Sequence, residues 1–227
     1  MRIAAALFCF TFLLLPKFSL GQQFFRVMAD FSTKQKNADS TLQLTVGKVY
    51  FDRTKKKIVY MITFPQVETW VMQDSFVFKV QKGKLVSKEK SGNIVSFSIF
   101  NLAANGTLSD YGLKNGGYKV GKVEKEKGLT LTRWIPHAKL ASKFGEVVLA
   151  TEQKRLAGVV LYNPSKELVS RQFFRKYQNF SGLEFPLQVT QFTYTKKGQN
   201  LTVTTYKNVV VNALSEDAIY NFVVPGY

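Results

Sequence analysis

Side chains able to do covalent or metal chemistry are scarce in this chain. It has one histidine, His137, placed after Trp134-Ile135-Pro136, and one cysteine, Cys9, inside an apolar N-terminal run. One imidazole cannot supply the ligand set of a multi-histidine zinc site, and a chain that has shed Cys9 has no thiolate for nucleophilic or metal chemistry. A Ser-His-Asp triad is formally possible, but no Gly-x-Ser-x-Gly turn is present to expose a serine. Glu124 and Glu126 share a strand face, and paired carboxylates can hydrolyse glycosides. Here Lys122, Lys125 and Lys127 surround them, the pattern of a solvated edge. No Gly-rich phosphate loop is visible. The sequence therefore predicts no catalytic residue, no metal and no cofactor.

Apolar surface carries the stronger signal. The chain has 20 Phe, 10 Tyr and 2 Trp, more than turn anchoring needs. The segment Gly47 to Pro65 has the pattern of a β-hairpin, with a charged link from Arg53 to Lys57. In its second strand Ile58, Tyr60, Ile62 and Phe64 fall on one face, and Val59, Met61 and Thr63 on the other. Both faces are largely apolar, whereas a one-sided sheet alternates apolar with polar. Each face must then meet something apolar, and one partner need not be protein. Most aromatics belong to the core of a β-rich domain. The candidates for an apolar ligand cavity are Tyr60, Ile62, Phe64, Trp70 and Met72, with Phe76 and Phe78 from the next strand. Phe97, Ile99 and Phe100 from a covering helix complete the set.

The elements that would position these residues are mostly strands. Strand patterns run from Phe24 to Thr33, Thr41 to Asp52, Lys57 to Phe64, Thr69 to Gln73, Phe76 to Gln81 and Lys84 to Lys90. Seven more follow: Gly117 to Lys125, Leu129 to Ile135, Glu146 to Thr151, Arg155 to Tyr162, Leu168 to Tyr177, Leu187 to Lys196 and Asn200 to Val211. Turn signals such as Lys82-Gly83 and Lys127-Gly128 separate neighbours closely enough for antiparallel pairing. Two short helices are expected. One is capped by Ser96 and runs through Asn101 to Ala104, and the other spans Ser215 to Tyr220 with Ser215 as its cap. The class is mainly β, and no linker divides residues 22–227.

Residues 1–21 carry Arg2, an apolar run from Ile3 to Leu15 and the small-residue stretch Ser19-Leu20-Gly21. That is the order of a cleaved secretory signal peptide, with cleavage near Gly21. Lys plus Arg is 32 against 15 acids, a net charge of +17. Such a field favours anionic partners, among them phospholipid head groups, lipopolysaccharide and acidic glycans. Export and the lack of clustered arginine argue against nucleic acid.

Taken together these residues resemble the LolA-like family of periplasmic carriers that sort lipoproteins to the outer membrane. The similarity lies in Met28-Ala29-Asp30-Phe31 through Gln35, in Gly47-Lys48-Val49-Tyr50-Phe51, and in the strand ending Phe64-Pro65. It continues in Glu68 to Asp74 leading into Phe76-Val77-Phe78, in Gly182-Leu183-Glu184-Phe185-Pro186, in Val209 to Asn212, and in Tyr220 to Pro225. The resemblance implies an open, unclosed antiparallel β-barrel with short covering helices, whose concave face encloses a cavity for acyl chains. The reading that follows is a periplasmic, monomeric, non-enzymatic carrier of lipid or lipoprotein, whose basic surface would bring it transiently to anionic membrane. This chain departs from the family pattern in two places. Only Gln22 and Gln23 precede the first strand, where an amphipathic helix is usual, and neither Arg nor Trp stands at Val59 or Tyr60. The alternative expectation is a secreted β-sandwich that binds an anionic glycan or surface polymer through lysines and exposed aromatics.

Overall fold

The computed structural model describes residues 23–91 and 94–227; the expected signal peptide lies outside the described residues. Six strands come first: β1 (Arg26–Lys36), β2 (Leu42–Asp52), β3 (Lys57–Phe64), β4 (Glu68–Gln73), β5 (Phe76–Gln81) and β6 (Lys84–Lys90). Helix α1 (Ile99–Ala104) follows. Seven strands come after it: β7 (Tyr118–Glu126), β8 (Leu129–Pro136), β9 (Val147–Glu152), β10 (Arg155–Tyr162), β11 (Leu168–Phe180), β12 (Leu183–Thr195) and β13 (Gly198–Val211). Helix α2 (Asp217–Tyr220) comes last.

All thirteen strands form one sheet, in the order β6-β5-β4-β3-β2-β1-β13-β12-β11-β10-β9-β8-β7. Two meanders are joined where β1 pairs antiparallel with β13. The edges β6 and β7 do not pair with each other, so the barrel is open. The chain between those two edges carries α1. This single sheet excludes the two-sheet sandwich of the alternative expectation.

The strand boundaries follow from turn chemistry. Five hairpins turn on two residues that both hold positive φ: Asp74-Ser75, Lys82-Gly83, Lys127-Gly128, Gln153-Lys154 and Ser181-Gly182. Such turns match the right-handed twist of the flanking strands. β12 begins at Leu183, four residues before the expected start at Leu187. Pro186 lacks a ladder N–H, yet the strand runs through it, with Pro186 opposite Tyr177. Gly47 meets a different demand. A Cβ there would lie 2.2 Å from the Met61 carbonyl oxygen, beside the irregularity where Val46 pairs with Phe64 and Gly47 with Ile62.

Both helices differ from expectation at their starts. Ser98, not Ser96, caps α1: its hydroxyl oxygen accepts from the Asn101 N–H at 3.2 Å. Ser215 does not cap α2. The capping position is Glu216, at φ 65° with no side-chain bond to the helix. Instead Arg26 donates to Asp217 in the first turn at 2.5 Å and to Asp52 at 3.1 Å, and stacks over the Tyr220 ring.

The sheet has two apolar faces. The inner face gathers Val27, Phe31, Phe51 and Ile58 at one side and Trp134, Leu149 and Val159 at the other into one cluster with Phe100 and Leu102. Strands as far apart as β3 and β8 meet the same core only because the sheet curls round α1. The outer face of β2 to β5 buries Tyr50, Val59, Val71, Phe78 and Val80 under Tyr220 and Val224 of the C-terminal tail. α1 thus covers the concave side, while α2 packs on the outside.

Candidate functional site

The concave wall is built by strand parity. In β3 Ile58, Tyr60 and Ile62 point inward, and Val59 and Met61 outward. Tyr60 stands opposite Trp70, and Ile58 opposite Met72, so Trp70 and Met72 share the inner face. Phe31 on β1 meets Tyr60 edge-on at 5.2 Å. Ile62 is 2% exposed and belongs to the core proper, whereas Tyr60, Trp70, Met72 and Ile99 are only partly buried and form its margin.

Phe100 is the centre of the covering element. Its ring stacks on Phe185 at 5.3 Å and on Phe51 at 6.2 Å, and meets Tyr206 edge-on at 5.4 Å. It is 1% exposed, so α1 occupies space inside the barrel as well as covering it.

The remaining candidates lie elsewhere. Phe76 and Phe78 are on the outer face, with Phe78 against Tyr227. The pairs Val71↔Phe78 and Met72↔Val77 set this parity. Phe64 is half exposed at the end of β3, beyond the core cluster. Phe97 is half exposed in the turn before α1.

The interior is apolar enough to disfavour charge on its phenols. Burial pushes the Tyr60 phenol up to about 12 and the Tyr206 phenol well above its ordinary value. The indole N–H groups of Trp70 and Trp134 are buried without a hydrogen-bond partner. Each is a donor aimed into apolar surroundings, and an unpaired buried donor costs about 1 to 3 kcal/mol. Lys79 places its ammonium 5.1 Å from the Trp70 ring centre at the rim.

One opening was not foreseen. A cleft of about 470 Å³ lies where the C-terminal end of α1 meets β10 to β12. Phe24, Ala104, Leu108, Leu156, Tyr177 and Leu183 line it, with Lys154, Arg155 and Glu184 at its rim. Arg155 and Glu184 form a bidentate pair, and Tyr177 donates to the Leu156 carbonyl at 2.8 Å. Several of these residues belong to or abut the inner apolar cluster, so the cleft borders the same core. Only Leu183 and Glu184 fall in a stretch that the sequence singles out; the other strands and the loop that supply the cleft are far apart in sequence.

Among the described residues no group of three His, Cys, Asp or Glu could hold a metal ion. Glu124 pairs with Lys122 on the exposed β7 edge.

No protein-family profile matches the chain, and no curated protein sequence does. Solved structures do. An outer-membrane lipoprotein-sorting protein domain from Vibrio parahaemolyticus superposes with a TM-score of 0.59 at 14% identity, over 87% of this chain and 90% of that one. A LolA-superfamily protein from Nitrosomonas europaea gives 0.57 at 14% identity, over 88% and 90%. The fold is LolA-like. A DUF1329-family protein from Desulfovibrio piger gives 0.58 at 13% identity, over 86% and 89%, so this open barrel also occurs under another family name. At such identities the likeness concerns architecture, and function must be argued from the site.

Proposed function

We propose that this protein is an exported, periplasmic carrier that holds acyl chains of a lipid or lipoprotein against the concave face and moves them between membranes. The observation that carries this reading is the curled, unclosed sheet whose inner apolar face α1 covers. The margin of that face is Tyr60, Trp70, Met72 and Ile99, and a cleft lined by both polar and apolar residues borders it beside Leu108, Leu156 and Leu183. A cleft of this size falls within the range of small-molecule sites. No covalent step is needed. Each acyl methylene removed from water contributes about 0.8 kcal/mol, and the fold keeps the chain dry in transit. Release follows when α1 shifts and an acceptor binds the cargo more tightly.

The two tryptophans make a direct test possible, since both belong to the inner cluster. Fatty acid brominated along its chain should quench their emission, and an unbrominated control should not. Lipid extracted from natively purified protein should be identifiable by mass spectrometry. An absence of both quenching and co-purified lipid sinks the carrier reading.

A further inference from the structure

The outside of the barrel carries a second apolar surface, which the C-terminal tail does not reach. Cross-strand partners share a face, so the ladders define its rows. One row runs Leu42, Lys36, Leu201, Phe192 and Arg171 across β2, β1, β13, β12 and β11. The next runs Leu44, Lys34, Val203, Thr190 and Phe173. Neither row contains an acid. Leu42 is 78% exposed, Leu44 38% and Phe173 36%. None of the apolar residues in these rows belongs to either buried cluster. Leu42, Leu44, Leu201 and Val203 form an open groove with Lys34 and Lys36 at its sides. No ion pair among the described residues involves Lys34, Lys36 or Arg171.

We propose that this strip is a docking surface for anionic phospholipid bilayers. An isolated exposed leucine needs no explanation, but apolar rows laced with unpaired cations do. Lysine stems can lie along the leucines while the ammonium groups reach phosphate oxygens, and Leu42 enters the acyl boundary. The strip lies on the convex side of a curled sheet, so contact is narrow and binding reversible. The proposal concerns the outside of the barrel and does not depend on what the interior carries.

The test is co-sedimentation of the purified protein with cargo-free vesicles of phosphatidylcholine, with and without phosphatidylglycerol. Binding is expected only with the anionic lipid, and added salt should weaken it. Lys34→Gln with Lys36→Gln should reduce affinity about thirty-fold, the effect of two lysines beside an anionic surface. Leu42→Ser with Leu44→Ser should reduce it about ten-fold without changing charge. Lys55→Gln with Lys56→Gln removes the same charge at the β2–β3 turn and should have little effect. Equal losses from both lysine pairs would show attraction by net charge alone and overturn the proposal. Absence of binding to anionic vesicles would overturn it too. So would unchanged binding in the leucine variant together with displacement by dextran sulfate, which would assign the strip to an acidic polymer.

Discussion

Phe78 and Tyr227 pack as a tilted pair, with ring centres 4.5 Å apart and planes at 49°, on the outer face of the sheet. Lys88 lies over both Phe76 and Tyr227. The last residues of the chain therefore seal the outside of β3 to β5, with Val224 4% exposed. Lys57 fixes the same tail by donating to the Phe222 carbonyl at 3.1 Å. The outer apolar face of this hairpin region is covered by the chain's own C-terminal tail, and its inner face by the core around α1.

Removal of Val224 to Tyr227 should cost about 2 to 3 kcal/mol, the burial of one valine and part of one tyrosine. Thermal unfolding measures this. Dye binding to the uncovered face should rise, while fatty-acid binding inside the barrel should persist. A truncated chain that loses fatty-acid binding at a temperature where it is fully folded would place the ligand under the tail instead.

Met72→Glu and Ile62→Glu should behave differently, although the two residues share the inner face. Met72 is at the margin, where a carboxylate keeps part of its water. Ile62 is in the core, where an unpaired charge costs several kcal/mol. The expected result for Met72→Glu is loss of fluorescent fatty-acid binding with a nearly unchanged thermal midpoint. For Ile62→Glu the midpoint itself should collapse. Equal collapse in both would make Met72 ordinary core.

Much of this arrangement could be read from residue patterns. The limits of β3, β5, β6 and β10 are as expected, because alternation and turn residues are local signals. The inward set Tyr60, Ile62, Trp70 and Met72 also follows from alternation within each strand. The placement of Phe76 and Phe78 does not. With a two-residue turn at Asp74-Ser75, Gln73 pairs with Phe76, and even-numbered residues of β4 face the same way as odd-numbered residues of β5. The sequence contained that information, but only for a reader who fixes the turn length before assigning faces. The pairing of β1 with β13 and the cleft at Leu156, Tyr177 and Leu183 are different. They depend on contacts between distant segments, which no local periodicity encodes.

Buried phenols should give the protein an alkaline limit. Tyr60 and Tyr220 are both pushed up to about 12 by burial. The folded state keeps these protons above pH 10, where tyrosines of the unfolded chain lose theirs, so the unfolded state binds fewer protons there. The associated stability is complete below about pH 10 and falls as the pH rises towards 12. Lysines also titrate in that window, so the informative quantity is a difference. Tyr60→Phe should show a shallower fall in thermal midpoint between pH 10 and 12 than the parent chain. An identical slope would mean that Tyr60 ionises in the folded barrel as freely as in the unfolded chain.

Phe100 connects stability to capacity. Its ring fills the space between Phe51, Phe185 and Tyr206, so Phe100→Ala should cost about 3 to 5 kcal/mol. The volume released is bounded by those three rings, and on the carrier reading proposed above it adjoins the acyl site. At a temperature where the variant is folded, its affinity for a long-chain fatty acid should equal or exceed that of the parent. Saturating ligand should also raise its thermal midpoint by more than it raises the parent's, because any gain in affinity for the native state adds directly to stability. The pair of measurements separates two roles for α1. A plug that competes with cargo gives lower stability with undiminished binding. A helix that forms the binding wall itself gives parallel losses of both, and that outcome would place the acyl site directly against Phe100.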